Sequence, residues 1–249
     1  MKVLIIIPAY NEAQTLIPVM EHLMDVCPAY DYVIVNDGSI DETKNICEEQ
    51  HYHAIHLPLN QGLTNAVRTG MQYALEHGYD MALQFDADGQ HLPEYIEKMV
   101  MHMEESGCDI VIASRFVGMK MPIRLRTVGG KMITAAIRLT TGQTLTDPTS
   151  GMRLYKNNII RMFLEHPDFA PEPDTVAHLM RLGADVQEVK VTMHERTEGQ
   201  SYLTPVNATK YMIRVLTSIL FRKGLHERKK RNRTETSAMA IKGKRMIGL

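Results

Sequence analysis

No stretch of this chain approaches the ~20 consecutive apolar residues that a bilayer-spanning helix requires, so no membrane crossing is expected. Lys2 is followed by only five aliphatic residues before Pro8, too short a run for a secretory signal. Cysteine is scarce. Cys27, Cys47 and Cys108 are odd in number and scattered, with neither a C-x-x-C pair nor a metal-ligand spacing. Buried, reduced thiols in the cytoplasm are the simplest expectation. Charge of one sign is also lacking: the net value of −1 over 249 residues gives no global attraction to nucleic acid. Finally, no G-x-G-x-x-G follows the first apolar run, which disfavours a dinucleotide fold of the Rossmann type.

What is present is an ordinary globular composition, 44% hydrophobic and 23% charged, with enough residues for one large α/β domain or two small ones. Val3 to Ile7 is a continuous aliphatic run, as expected of a parallel strand buried on both faces. Asn11 is placed to cap a following helix, in which Leu16, Met20, Leu23 and Met24 fall at helical spacing. Tyr32–Val35 predicts a second strand, Ser39 or Asp41 a cap, and Ile46 to Gln50 a helix. Ala54–Leu57, Met81–Phe85 and Asp109–Ala113 predict further strands, separated by helices from Gly62 to Glu76 and from Pro93 to Glu104. This alternation predicts an α/β fold with one mostly parallel sheet and helices on both faces.

Beyond Arg115 the pattern loosens. Gly118 to Arg126 reads as a mobile loop, and Thr127 to Thr140 as a helix with Val128, Met132, Ile133, Ala136 and Ile137 on one face. Thr146 to Arg153 is turn-rich, Glu172-Pro-Asp174 resembles a helix start, Ala184–Thr192 a strand and His194–Tyr202 a loop.

The central candidate is Asp86-Ala-Asp88-Gly-Gln90-His91, directly after the fourth predicted strand. Residues i and i+2 of an extended segment point the same way, so Asp86 and Asp88 can converge at the strand's carboxyl end, where open parallel sheets hold ligands. Two carboxylates that close repel unless a cation lies between them, and hard oxygen ligands favour magnesium or manganese shared with a substrate phosphate. His91 is expected to pack or to position a donor rather than to ligate. Polar residues recur just after the other strands: Asn11 and Glu12, Asp37, and Arg115.

Six segments come in order: Pro8-Ala-Tyr10-Asn-Glu12, Asn36-Asp37-Gly-Ser39-Ile-Asp41, Asp86-Ala87-Asp88-Gly-Gln90-His91, Ser114-Arg115-Phe, Asp147-Pro-Thr-Ser150-Gly-Met-Arg153 and Arg196-x-x-Gly199-x-Ser201. Together they resemble glycosyltransferase family 2 with the GT-A fold, in the branch similar to dolichol-phosphate mannosyltransferase, over residues 1 to about 222. The resemblance implies a nucleoside-diphosphate sugar donor and inversion at the anomeric carbon. It implies that Asp37 accepts from the base, with Pro8, Tyr10 and Glu12 lining the nucleoside pocket. Asp86, Asp88 and Gln90 would hold a divalent cation (Mg2+ or Mn2+), with Ala87 beside the donor. Arg115 and Arg196 would meet the diphosphate, with Ser201 in the same late loop, while Arg126 and Asp147 to Arg153 would face the acceptor. That acceptor is expected to be a lipid-linked or cell-envelope polysaccharide species. Where relatives of this branch carry a lysine after that serine, this chain has Tyr202. A phosphate acceptor needs no base but a hydroxyl does, and Glu172 and Asp174 are candidates for that role beside their reading as helix-start charges.

The expected organisation is a GT-A catalytic domain over 1–204, an amphipathic helix over 205–222 and a basic, disordered tail over 223–249. Met212, Ile213, Val215, Leu216, Ile219 and Leu220 leave a polar stripe of Asn207, Lys210, Arg214 and Ser218. Such a helix, ahead of a basic tail, can lie on an anionic leaflet at the inner face of the cell membrane, dock a membrane protein, or pack on the chain's own core. Three rivals remain. A haloacid-type phosphatase places its D-x-D-G after the first strand with a threonine next, and a sugar nucleotidyltransferase needs a Gly- and Lys-rich segment missing here. The third is a nucleotide-sugar-binding scaffold without turnover, partnered with a membrane subunit.

Overall fold

The computed structural model describes residues 1–119, 125–194 and 209–221, without the side chains of 125–127. The chain alternates as anticipated: β1 (Val3–Ala9), α1 (Leu16–Val26), β2 (Asp31–Asn36), α2 (Thr43–Glu49), β3 (Ala54–His56), α3 (Leu63–Glu76) and β4 (Met81–Gln84). A 3-10 turn, Pro93–Tyr95, leads into α4 (Ile96–Ser106), followed by β5 (Ile110–Ser114) and α5 (Leu125–Thr141). Then come β6 (Arg153–Lys156), α6 (Asn157–Glu165), α7 (Pro173–Arg181), β7 (Val186–Lys190) and a last helix, α8, over 209–221.

The strands form one sheet in the order β3-β2-β1-β4-β6-β5-β7. All neighbours are parallel except β6, which runs against both β4 and β5. The carboxyl ends of β1, β2, β4, β5 and β7 therefore share one edge, and β6 begins at that edge. Side chains alternate between two cores. One, with Ile5, Ile7, Leu83 and Val111, is covered by α1, α2 and α4; the other, with Leu4, Ile6, Ile112 and Tyr155, by α3 and α5 to α8. Helix α3 lies very close to the sheet at Gly70, where an added Cβ would stand 2.3 Å from Ile6 Cγ2.

A crevice opens between β1 and β4, where the strand order reverses. The Ile6 carbonyl accepts the Phe85 N–H and the Ala9 carbonyl accepts the Asp37 N–H, so even-numbered residues of β1 face β4. Pro8 therefore aims its missing donor at a place where the β4 ladder, last paired at Ile6↔Gln84, has already ended. Nothing is lost there, and the two chains part.

Several sequence expectations need correction. Strand β6 and helix α6 were not anticipated: Arg-Leu-Tyr-Lys is too short and too charged at its ends to read as an apolar run. Asn11 does not cap α1. It adopts a left-handed backbone (φ 56°), and its side chain accepts the Ile40 N–H instead. Met24 on α1, and Val128 and Met132 on α5, are exposed, so the buried face of α5 rests on Ile133, Ala136 and Ile137. Within the expected loop Gly118–Arg126, residues 120–124 lie outside the described residues, while Leu125 and Arg126 already belong to α5.

Helix α8 packs on the chain's own core through Val215 and Ile219, with Tyr211, Met212 and Leu216 against it. Its polar stripe is turned partly inward: Arg214 Nη2 donates to both Glu172 oxygens (2.7 and 2.6 Å), and the Ser218 hydroxyl donates to Asp174 Oδ2 (2.6 Å). Asn207 and the tail from Arg222 lie outside the described residues.

Candidate active site

One end of the crevice is built from the loops after β1 and β2, which are tied together by backbone-to-side-chain bonds. The Asn11 N–H donates to Ser39 Oγ (2.9 Å), the Glu12 N–H to Thr43 Oγ1 (2.9 Å) and the Ala13 N–H to Asp41 Oδ2 (3.1 Å). Glu12 Oε2 accepts the Thr15 hydroxyl at 2.7 Å. Asp37 is buried, and its two oxygens accept the Gln61 and Gly62 N–H groups (2.8 and 2.7 Å). A carboxylate offers about four acceptor sites, so capacity remains beyond those two bonds. Pro8 is buried, and Tyr10 and Glu12 are half-buried at the same edge.

The ladder of β4 stops at Gln84, yet alternation persists past it: Phe85 and Ala87 are buried while Asp86 and Asp88 are half-open. Asp86 and Asp88 thus emerge on the same side, as the i, i+2 spacing requires. The Asp86 side chain is 29% exposed. Gln84 Nε2 donates to Asp86 Oδ1 at 3.1 Å. Gly151 abuts the other oxygen so closely that a Cβ there would lie 2.3 Å from Asp86 Oδ2. Gln90 braces Asp88, its N–H reaching Oδ1 (3.1 Å) and its side-chain amide reaching Oδ2 (2.9 Å). His91 is buried, 5.9 Å from the Phe85 ring centroid, with Nδ1 3.9 Å from Asp86 Oδ2. Beside Asp88 a cavity of about 370 Å³ is lined by Thr15, Val19, His22, Phe85, His91 and His194.

These residues fit a divalent cation that the substrate helps to hold. Asp86 and Asp88 supply hard, ionisable oxygens, and the missing Cβ at Gly151 leaves room for one of them. Among the described residues no group of three or more His, Cys, Asp and Glu is placed to hold a metal ion. A magnesium-type site with one or two carboxylates, completed by phosphate and water, has that character.

The opposite side of the crevice is stitched by charge. Arg115, at the end of β5, is held bidentately by Asp147 (Nε to Oδ2 2.7 Å, Nη2 to Oδ1 2.9 Å). Asp147 is 1% exposed and Arg115 41%, so the pair leaves a guanidinium edge open and hides the carboxylate. The bond to Asp147 raises the Arg115 pKa further. Glu188 on β7 in turn accepts the N–H groups of Thr146 and Asp147 (2.7 Å each). Asp147, expected on the acceptor side, is instead the anchor of Arg115. Arg153, expected to face the acceptor as well, is buried. Glu172 and Asp174, the base candidates, are engaged by Arg214 and Ser218 of α8. Arg196 and Ser201 lie outside the described residues, as does the Arg126 side chain.

Sequence reasoning missed Gln84 and Glu188, and it placed Gly151 in the acceptor segment without its contact to Asp86. A glutamine inside an otherwise apolar strand is the one signal that pointed to the first.

The family model described as "Glycosyl transferase family 2" matches residues 4–163. This chain belongs to that family. As a glycosyltransferase it is 33% identical to an undecaprenyl-phosphate mannosyltransferase of Micrococcus luteus, over 82% of this chain and 88% of the relative. It is 28% identical to a polyprenol monophosphomannose synthase of Mycolicibacterium smegmatis, over 86% and 85% of the two chains. A structure of glucosyl-3-phosphoglycerate synthase from Mycobacterium tuberculosis, in complex with Mn2+, UDP-glucose and phosphoglyceric acid, superposes with a TM-score of 0.67. That match is at 18% identity and covers 88% of this chain and 79% of the other, which establishes the GT-A fold for this glycosyltransferase. No helix among its described residues is long and apolar enough to cross a membrane.

Proposed function

We propose that this glycosyltransferase moves a sugar, with inversion, from a nucleoside-diphosphate donor to the phosphate of a membrane lipid of polyprenol type. The observation that carries the proposal is the contrast in its carboxylates. Asp86 and Asp88 stand half-open at the switch crevice, whereas Asp147, Glu172 and Asp174 are already engaged by Arg115, Arg214 and Ser218. A hydroxyl acceptor needs a base, but a lipid phosphate is ionised and needs none. The names of the two relatives, one acting on undecaprenyl phosphate and one making polyprenol monophosphomannose, support the same acceptor class.

Asp37, Pro8, Tyr10 and Glu12 receive the nucleoside, with the base bonding to the remaining acceptor capacity of Asp37. Asp86 and Asp88 would hold a divalent cation, with Gln90 keeping Asp88 in register. When bound, that cation offsets charge growing on the departing nucleoside diphosphate. Arg115, held in place by Asp147, presents a fixed guanidinium to phosphate, and preorganised charge of this kind acts without reorganisation during the reaction. Arg196, Ser201 and Arg126 complete the phosphate-binding set in this proposal.

The acceptor would be met at the cytoplasmic surface of the membrane. Helices α5 and α8 support this placement. They touch where Gly129 lets Met212 approach, and they expose Val128, Met132 and Leu139 on one and Ile213, Leu220 and Phe221 on the other. Neither helix contains an acidic residue, and Lys131, Arg138 and Lys210 are exposed on them. Apolar side chains flanked by cations suit an anionic leaflet.

Purified full-length chain, supplied with UDP- or GDP-sugars, manganese and a polyprenyl phosphate in vesicles, should form a glycolipid. EDTA should abolish the product. Donor binding without any transfer or hydrolysis would favour the scaffold, and orthophosphate release from simple phosphoesters would favour a phosphatase.

A further inference from the structure

The turn leading into β6 carries a charge to a place where charge is costly. Arg153 is 1% exposed, and a guanidinium does not give up its proton inside a protein. Buried charges are ordinarily paired, because an uncompensated ion loses several kcal/mol of hydration. Yet Arg153 donates to two carbonyls, Nε to Ser150 (2.8 Å) and Nη2 to Pro148 (2.8 Å), while Nη1 has no hydrogen-bond partner. Its neighbours are also poorly met: Gln84 Oε1 and Ser150 Oγ are buried without partners, and the buried Tyr155 hydroxyl has Arg153 beside it.

All four residues adjoin Asp86 or each other. Gln84 stands directly across the antiparallel ladder from Arg153 and gives its amide to Asp86. Ser150 and Gly151 form the turn that presses on the other Asp86 oxygen. Tyr155 lies two residues along β6 on the same face as Arg153. Burial raises its hydroxyl pKa, the adjoining Arg153 lowers it through its charge and its N–H, and Asp86 raises it.

We propose that Arg153 is the internal counter-charge of Asp86, a positioning residue that stands in for the cation while the metal clamp is empty. The proposal rests on Asp86 and Asp88 being that clamp. Two problems then offset each other: a carboxylate pair that repels itself without a cation, and a buried guanidinium without an anion. A counter-charge also competes with the incoming metal for the same carboxylate. It keeps the clamp formed between turnovers and keeps the metal from binding too tightly to leave with the nucleoside diphosphate.

The test uses the full chain, first free of metal and then titrated with manganese. Thermal melts of wild type, Arg153→Met, Asp86→Asn and the double variant form a cycle. Arg153→Met should lower Tm clearly in wild type and at most half as much in the D86N background, because the anion it answers is gone. Manganese binding to Arg153→Met, read by calorimetry, should tighten by roughly three- to tenfold, the size of one charge interaction screened as in water. Equal Tm losses in both backgrounds, with manganese binding unchanged or weakened, would overturn the proposal and leave Arg153 as a brace for the Pro148–Ser150 turn. If Arg153→Met fails to fold, Arg153→Lys keeps the charge and loses the fork. It should bind manganese within about threefold of wild type, and a tenfold change would overturn the proposal. A wild-type chain indifferent to manganese, with the Tm coupling intact, would strike down the clamp itself and the role assigned here with it.

Discussion

The two flanks of the crevice hold their polar groups in different ways. On one flank, the loops after β1 and β2 are joined by bonds from backbone N–H groups to Ser39, Asp41 and Thr43, Asp37 is held by backbone N–H groups in the same way, and the acids Asp86 and Asp88 stay half-open. On the other flank, Asp147, Glu172 and Glu188 are each bound by a cation or by backbone N–H groups. The difference teaches where anionic ligands can go. Open carboxylates call for a cation and its phosphate, whereas a guanidinium already anchored from behind can receive a phosphate directly.

The sharpest break in this contrast is Asp88→Asn. Losing one clamp carboxylate should lower kcat by roughly 10²–10³-fold, the cost of removing a preorganised electrostatic contact, with Tm near wild type. Gly151→Ala should follow at about 10²-fold in turnover, because its Cβ displaces Asp86 and misplacement of about 1 Å is enough to cost that much. A variant with full activity would mean that Asp86 does not touch the reaction.

Asp147→Asn tests the anchored flank. Breaking a pair whose acid is buried but whose Arg115 is partly open should cost about 1–3 kcal/mol in urea unfolding, less than a fully buried pair. Glu172→Gln should cost under about 1 kcal/mol, since Arg214 is largely exposed, and should leave kcat within about twofold. A hundredfold loss of kcat there would restore Glu172 as a base and break the comparison. Least of all, iodoacetamide should modify Cys27 and Cys47 slowly at pH 8 until the chain unfolds, because burial raises both thiols to about 11.

The flank after β1, β2 and β4 was legible in the sequence because parallel strands buried on both faces write themselves as aliphatic runs, and their ends mark the crevice. Asp86 and Asp88 were placed by spacing alone. The other flank was not legible in the same way. Arg115 and Asp147 were each singled out, but their pairing spans 32 residues and needs β5 beside an unseen strand. Arg153 was expected to face an acceptor, and its burial follows only from the return of the chain along β4. The polar stripe of α8 was read correctly as a stripe, but periodicity cannot say which way a stripe turns, and two of its members reach toward α7.

Strand β6 runs opposite to its neighbours, and that reversal has a consequence for how such enzymes diversify. For β1, β2, β4, β5 and β7 the outgoing connection meets the crevice, but for β6 it is the incoming one. Lengthening or exchanging the segments after β5, before β6 and after β7 would remodel one rim and leave the opposite rim untouched. A lineage could thus change what receives the sugar while conserving what delivers it.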